Sequence, residues 1–193
     1  MGDAALAGLD GDVRAERIEG LRRKLGELER PFAQESYLFS CVEGGIPTGA
    51  ITEVSGSMGG GKTELVLRFL AENDDLRVAW IEDRFTVYPA AFPEAGVDLE
   101  RVLFVEGERD ALWSALQTLR SQVFDVVVLA PAAALGEMNL RRLQLAAERS
   151  GASVIVIADE PTRKGAWPID LQLHVCREEA KGRRATLPRV EVL

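Results

Sequence analysis

The chain has 193 residues, 47% of them hydrophobic and 28% charged, which suits one domain with at most a small appendage. Its 31 acids against 23 Lys and Arg give a net charge of −8, which excludes a self-sufficient nucleic-acid binder with a broad basic field. No apolar run approaches the roughly 20 residues of a membrane span, and residues 1–12 lack the basic-then-apolar order of an export signal. Cys41 and Cys176 lie far apart with no ligand spacing, so they are expected as reduced thiols in a cytoplasmic protein.

Residues 1–11 are small and glycine-rich. Residues 12–30 read as a helix, with Asp12 as N-cap and Pro31 as its stop. Its apolar positions Ile18, Leu21, Leu25 and Leu28 step three and four residues apart and form a narrow seam. Gly20 and Gly26 weaken it, so it must dock, either on its own core or on a partner. Residues 1–39 are therefore set apart as an N-terminal tail with a docking helix, and residues 40–193 as the core.

After the turn at 44–49, the alternating segment 50–54 predicts a strand. Gly56-Ser57-Met58-Gly59-Gly60-Gly61-Lys62-Thr63 then fills the phosphate-loop pattern G-x-x-x-x-G-K-[ST]. Glycines let the backbone wrap a phosphate with N–H groups inward, and the loop opens a helix whose first amides carry partial positive charge. Lys62 is expected to reach the β and γ phosphates and Thr63 to hold Mg²⁺, so the implied ligand is ATP or a related triphosphate. Residues 62–73 have helical apolar spacing, and Asn73 marks the stop.

Residues 77–82 predict the next strand, followed by an aromatic loop to about 100 with Phe85, Tyr88 and Phe92. Strands are expected at 102–105, 125–129 and 153–158, separated by helices near 108–123 and 137–150. Such β-branched runs between helices predict an α/β fold, a mostly parallel sheet with helices on both faces. Residues 170–193 read as a C-terminal β-hairpin around the polar turn 178–182. His174 in its first strand is expected to be structural, and zinc binding is unsupported.

Together these stretches resemble the core of RecA-type recombinases. The likeness rests on residues 44–54 with the phosphate loop, on Ala91 to Phe104, and on Phe124 to Leu129 followed by Ala132 to Leu135. The resemblance implies an aspartate at the end of strand 125–129, a catalytic glutamate past strand 77–82, and a γ-phosphate-sensing glutamine past strand 153–158. Ala130, Arg84 and Asp159 stand there instead. A methyl group cannot orient a metal-bound water, and a guanidinium cannot act as a base at neutral pH. Little room remains for the family's DNA-binding loops, so strand exchange is not expected.

A small RecA-like chain with a degenerate hydrolytic site is similar to the ImuA family, accessories of the bacterial SOS mutagenesis cassette. That resemblance implies an adaptor in translesion DNA synthesis, binding RecA and an ImuB-like polymerase subunit, with at most weak DNA contact, in the cytoplasm near the nucleoid. Helix 12–30 would then be the RecA-docking element. Two other readings stay open. One is an active RecA-like ATPase that uses Glu82, Asp83 or Asp159, which fall at strand ends where ligands bind. The other is a SulA-type cell-division inhibitor, although that family usually lacks an intact phosphate loop.

Overall fold

A computed structural model describes residues 35–130, 135–162, 168–177 and 188–193. The expected helix 12–30, with Ile18, Leu21, Leu25 and Leu28, lies outside the described residues, as does the turn 178–182.

Strand and helix alternate as the apolar runs dictate. β1 (Ser36–Tyr37) and β2 (Ile46–Pro47) pair antiparallel as a small separate sheet. The main sheet holds β3 (Ile51–Ser55), β4 (Val78–Glu82), β5 (Val102–Glu106), β6 (Val126–Ala130), β7 (Ser153–Ala158), β8 (Leu171–Cys176) and β9 (Arg189–Val192). Its order is β5-β4-β6-β7-β3-β8-β9, parallel throughout except for β9, which runs antiparallel to β8. The α/β class, the mostly parallel sheet and the terminal pair of strands agree with the sequence reading.

Helices α1 (Lys62–Glu72), α3 (Ala111–Ser121) and α4 (Glu137–Ser150) cover the sheet. Successive side chains of one strand enter opposite cores, as a strand flanked on both faces requires. Val126 and Val128 join Leu65, Phe69, Leu70 and Trp80 beneath α1. Val127 and Leu129 join Ile51, Ile81, Leu119 and Leu143 beneath α3 and α4.

Two segments hold more structure than their sequence announced. The connector before β3 buries Phe39, Val42 and Ile46, and Phe39 packs edge-on against Phe69 of α1 at 5.5 Å. The aromatic loop after β4 contains the short helix α2 (Ala91–Glu94). Its Phe92 is fully buried, edge-on to Trp80 at 5.3 Å and to Phe104 at 4.9 Å. β5 is an edge strand and is only partly covered, which leaves Leu103 exposed. Among the described residues no helix is long and apolar enough to cross a membrane.

Candidate nucleotide site

Because β3 to β8 run parallel, their C-terminal ends share one edge, and the ligand crevice of an open α/β sheet lies outside that edge. β3 is flanked by β7 and β8 and feeds the phosphate loop there. Gly56 leaves the strand at φ 150°, and a Cβ on it would stand 2.2 Å from the Val175 carbonyl oxygen. Only glycine fits that approach. Ser57, Met58 and Gly59 form an exposed crown, and the Gly60 N–H closes a turn onto the Ser57 carbonyl at 3.0 Å. Gly61, at φ 102°, turns the chain into α1.

No side chain caps this helix. Its first amides, those of Lys62, Thr63 and Glu64, are therefore left to the space inside the loop, with the positive end of the helix dipole behind them. That arrangement fits a phosphate chain. Thr63 lies in the first turn of α1, directly after Lys62.

Lys62 is already engaged. Its Nζ donates to the Gly56 carbonyl at 2.5 Å and to Asp159 Oδ1 at 2.7 Å. The lysine side chain is only 11% exposed, whereas Asp159 is 77% exposed. The lysine is thus fixed at the mouth of the loop, and its acidic partner is free to swing away. Asp159 directly follows Ala158, the residue in register with Ser55 at the end of β3.

The other acids at the strand ends are differently employed. Glu82 pairs in register with Ala130 on one side and Glu106 on the other. It is buried, and it accepts from Trp80 Nε1 at 2.8 Å, Val87 N at 3.2 Å, Thr86 Oγ1 at 3.1 Å and the Thr86 amide. Both carboxylate oxygens are consumed in holding the loop after β4. The sequence reading had offered Glu82 as a relocated catalytic acid, and this geometry removes it from that role. Arg84 is exposed in the same loop. Ala130 ends β6 with only a methyl group. Among the described residues no cluster of His, Cys, Asp or Glu is arranged to hold a metal ion.

Glu53 was not anticipated at all. It lies buried mid-strand in β3 and accepts from Thr162 N at 2.9 Å, from the Thr162 hydroxyl, and from Gln172 Nε2 at 3.1 Å. It pins the segment after β7, so Asp159 is carried on a loop fixed a few residues later. An acid in the middle of the strand that feeds the phosphate loop was the available signal, since a buried carboxylate must be hydrogen-bonded. His174 Nδ1 lies 3.3 Å from Ser55 Oγ, across the pairing of β8 with β3.

The terminal strands also border the loop. A Cβ on Gly61 would stand 2.8 Å from the Pro188 Cβ. Arg177, just past β8, pairs with Glu64 in the first turn of α1. The site is thus a phosphate cradle with its lysine in place, framed by the final hairpin. It has donors for anions, its buried Glu82 is engaged by the loop after β4, and β6 ends in Ala130.

The sequence profile of the MT3502 N-terminal domain matches residues 40–168. RecA proteins are similar over part of the chain. That of Synechococcus sp. (strain WH7803) is 31% identical over 150 residues, covering 65% of this chain and 39% of the relative. That of Rubrobacter xylanophilus is 32% identical over 139 residues, covering 59% and 40%. That of Fusobacterium nucleatum is 32% identical over 115 residues, covering 54% and 30%. The chain spans about two-fifths or less of the length of these relatives. Sheet order, phosphate-loop placement and sequence agree on a RecA-like relationship, and the chain belongs to the MT3502 N-terminal domain family.

Proposed function

We propose that this protein is a RecA-like, nucleotide-binding adaptor that does not turn over its nucleotide, acting in DNA repair as an accessory of SOS-induced translesion synthesis. One observation carries the reading: the phosphate loop is intact, while Glu82 at the end of β4 is saturated by its own loop and β6 ends in Ala130. Hydrolysis of a triphosphate depends on positioning a water and stabilising charge. Ala130 cannot orient a metal-bound water, Arg84 cannot take a proton, and Glu82 is saturated by its loop. ATP with Mg²⁺ would be held by the uncapped amides at the start of α1, by the Lys62 ammonium and by the Thr63 hydroxyl. Its binding would release Asp159 from Lys62, which couples occupancy to the loop after β7.

RecA and an ImuB-like polymerase subunit are the partners this reading implies. Ile18, Leu21, Leu25 and Leu28 are proposed as the apolar seam that meets RecA. The net charge of −8 argues against strong direct DNA binding.

The test is calorimetric titration with Mg-ATP and with a slowly hydrolysed analogue, paired with a phosphate-release assay. The expected result is binding without turnover, lost on Lys62→Ala, with RecA binding retained. Steady phosphate release abolished by Lys62→Ala would instead establish an ATPase, with Asp83 and Asp159 as the acids to examine. Charge reversal at Leu21 and Leu25 should remove RecA binding and spare nucleotide affinity. Unfolding of that variant would place the helix in the protein's own core.

A further inference from the structure

α3 and α4 each return from the phosphate-loop edge to the opposite edge of the sheet, so they run parallel, side by side, on the face away from α1. Their C-terminal ends are tied together by Gln122 Nε2, which donates to the Arg149 carbonyl at 3.2 Å. Between them lies an open groove of about 550 Å³, lined by Leu116, Arg120, Arg142, Leu145, Ala146 and Arg149 among others, and by no acidic residue. Its floor is the buried core residue Leu119.

The charge of the groove is opposite to that of the chain. Net charge is −8, yet three guanidinium groups border a groove whose other lining is Leu116, Leu119, Leu145 and Ala146 with the neutral polar Gln122 and Ser150. Among the described residues Arg120, Arg142 and Arg149 enter no ion pair. Arginines near helix C-termini do offset the helix dipole. That accounts for Arg120 and Arg149, but not for Arg142 in the middle of α4, nor for the accessible leucines Leu116 and Leu145 between them. Leu145 on the rim is 36% exposed, an apolar surface that water solvates poorly.

We propose that this groove docks a short acidic, amphipathic peptide segment of a partner protein. Its apolar side chains would seat between Leu116 and Leu145, and its carboxylates would pair with Arg120, Arg142 and Arg149. Apolar anchors in a groove with charge-assisted pairs at the rim are a recurring mode of peptide recognition. A long polyanion such as duplex DNA meets the repulsive field of the whole chain. A segment with a few carboxylates, held within about 8 Å of the arginines, is screened from the rest at physiological salt. The groove lies at the sheet edge opposite the phosphate loop, so the inference is independent of nucleotide binding.

The experiment pans a display library of random 12-residue peptides on the full chain at physiological salt. Enriched peptides are then labelled and titrated by fluorescence anisotropy against the full chain and an Arg142→Glu/Arg149→Glu variant. The expected outcome is enrichment of acidic peptides carrying Leu, Phe or Met, with affinity falling at least about tenfold in the variant and several-fold in high salt. No enrichment, enrichment of basic or neutral peptides, or binding that the variant leaves unchanged would overturn the proposal. So would a single-stranded oligonucleotide that binds through the same arginines when acidic peptides do not. Circular dichroism checks that the variant is folded; should it not be, Arg142→Gln and Arg149→Gln are titrated singly and must each weaken binding.

Discussion

At the scale of single residues, the acids around the phosphate loop divide by what they already bond. Glu82 is spent on structure. Gln in its place would keep one accepting oxygen and turn its amide N–H toward either Trp80 Nε1 or the Thr86 and Val87 donors, leaving that side unpaired. Glu82→Gln is therefore expected to destabilise the fold by about 1–3 kcal/mol, read from a thermal or urea melt, without changing nucleotide affinity beyond that loss. Asp159 is the opposite case. Its pairing with Lys62 is largely solvent-exposed on the acid's side, so breaking it costs at most about 1 kcal/mol. Asp159→Ala should consequently tighten binding of a slowly hydrolysed ATP analogue by about two- to fivefold. Calorimetry decides: weaker binding would mean that Asp159 helps hold Mg²⁺ rather than competing for the lysine.

At the scale of elements, the first segment of the described core is clamped to α1 by one carboxylate. Glu72 accepts from Ser40 N at 2.7 Å and Ser40 Oγ at 2.5 Å, and pairs with Arg68 at 3.3 Å. Desolvation alone would raise its carboxyl, but the Ser40 hydrogen bonds and the Arg68 guanidinium outweigh it and hold the group below its ordinary value. A carboxyl lowered in the folded state stabilises the protein above its unfolded pKa, and that stability is lost as pH falls through the folded value. Glu72→Gln should therefore lower the melting temperature at pH 7, with the gap to the parent closing below about pH 4. A gap that stays constant with pH would assign the loss to packing rather than to charge.

The elements themselves were legible to different degrees. β6 and β7 announced themselves, because Val126 to Leu129 and Val154 to Ile157 are continuous apolar runs that only a doubly covered strand can bury. β1 and β2 did not, since two residues apiece carry no period. α2 was hidden for a similar reason: four residues containing a proline give no helical repeat, and Phe92 is placed by the ring stack with Trp80 and Phe104. The phosphate loop was fully visible, because its glycines are demanded by backbone geometry that the strand–loop–helix order already implies.

At the scale of the whole molecule, one sheet separates two cores that answer to different needs. The core under α1 supports the phosphate loop. The core under α3 and α4 holds those helices against the sheet and so shapes the groove between them. Leu143 is fully buried in the second core. Leu143→Ala should cost about 2–4 kcal/mol, a fall of several degrees in melting temperature for a chain of this size. Because that core is remote from the loop, affinity for the ATP analogue measured well below the melt should stay within about twofold. A parallel loss of affinity would show that the two faces are not independent.

The sequence by itself determined the α/β alternation, the position of the phosphate loop and the absence of acids at 84 and 130. Each of these is carried by residue type and local spacing alone. The tertiary structure alone decided which remaining acids are free. Whether Glu82 caps a loop or faces solvent depends on Trp80, Thr86 and Val87 folding around it. Whether Lys62 meets Asp159, 97 positions away, depends on β7 lying beside β3. The groove of arginines likewise exists only because two helices separated by a strand pack side by side. Hydrogen bonding and charge pairing act over a few ångströms in space, and the order of strands in the sheet sets which side chains come that close.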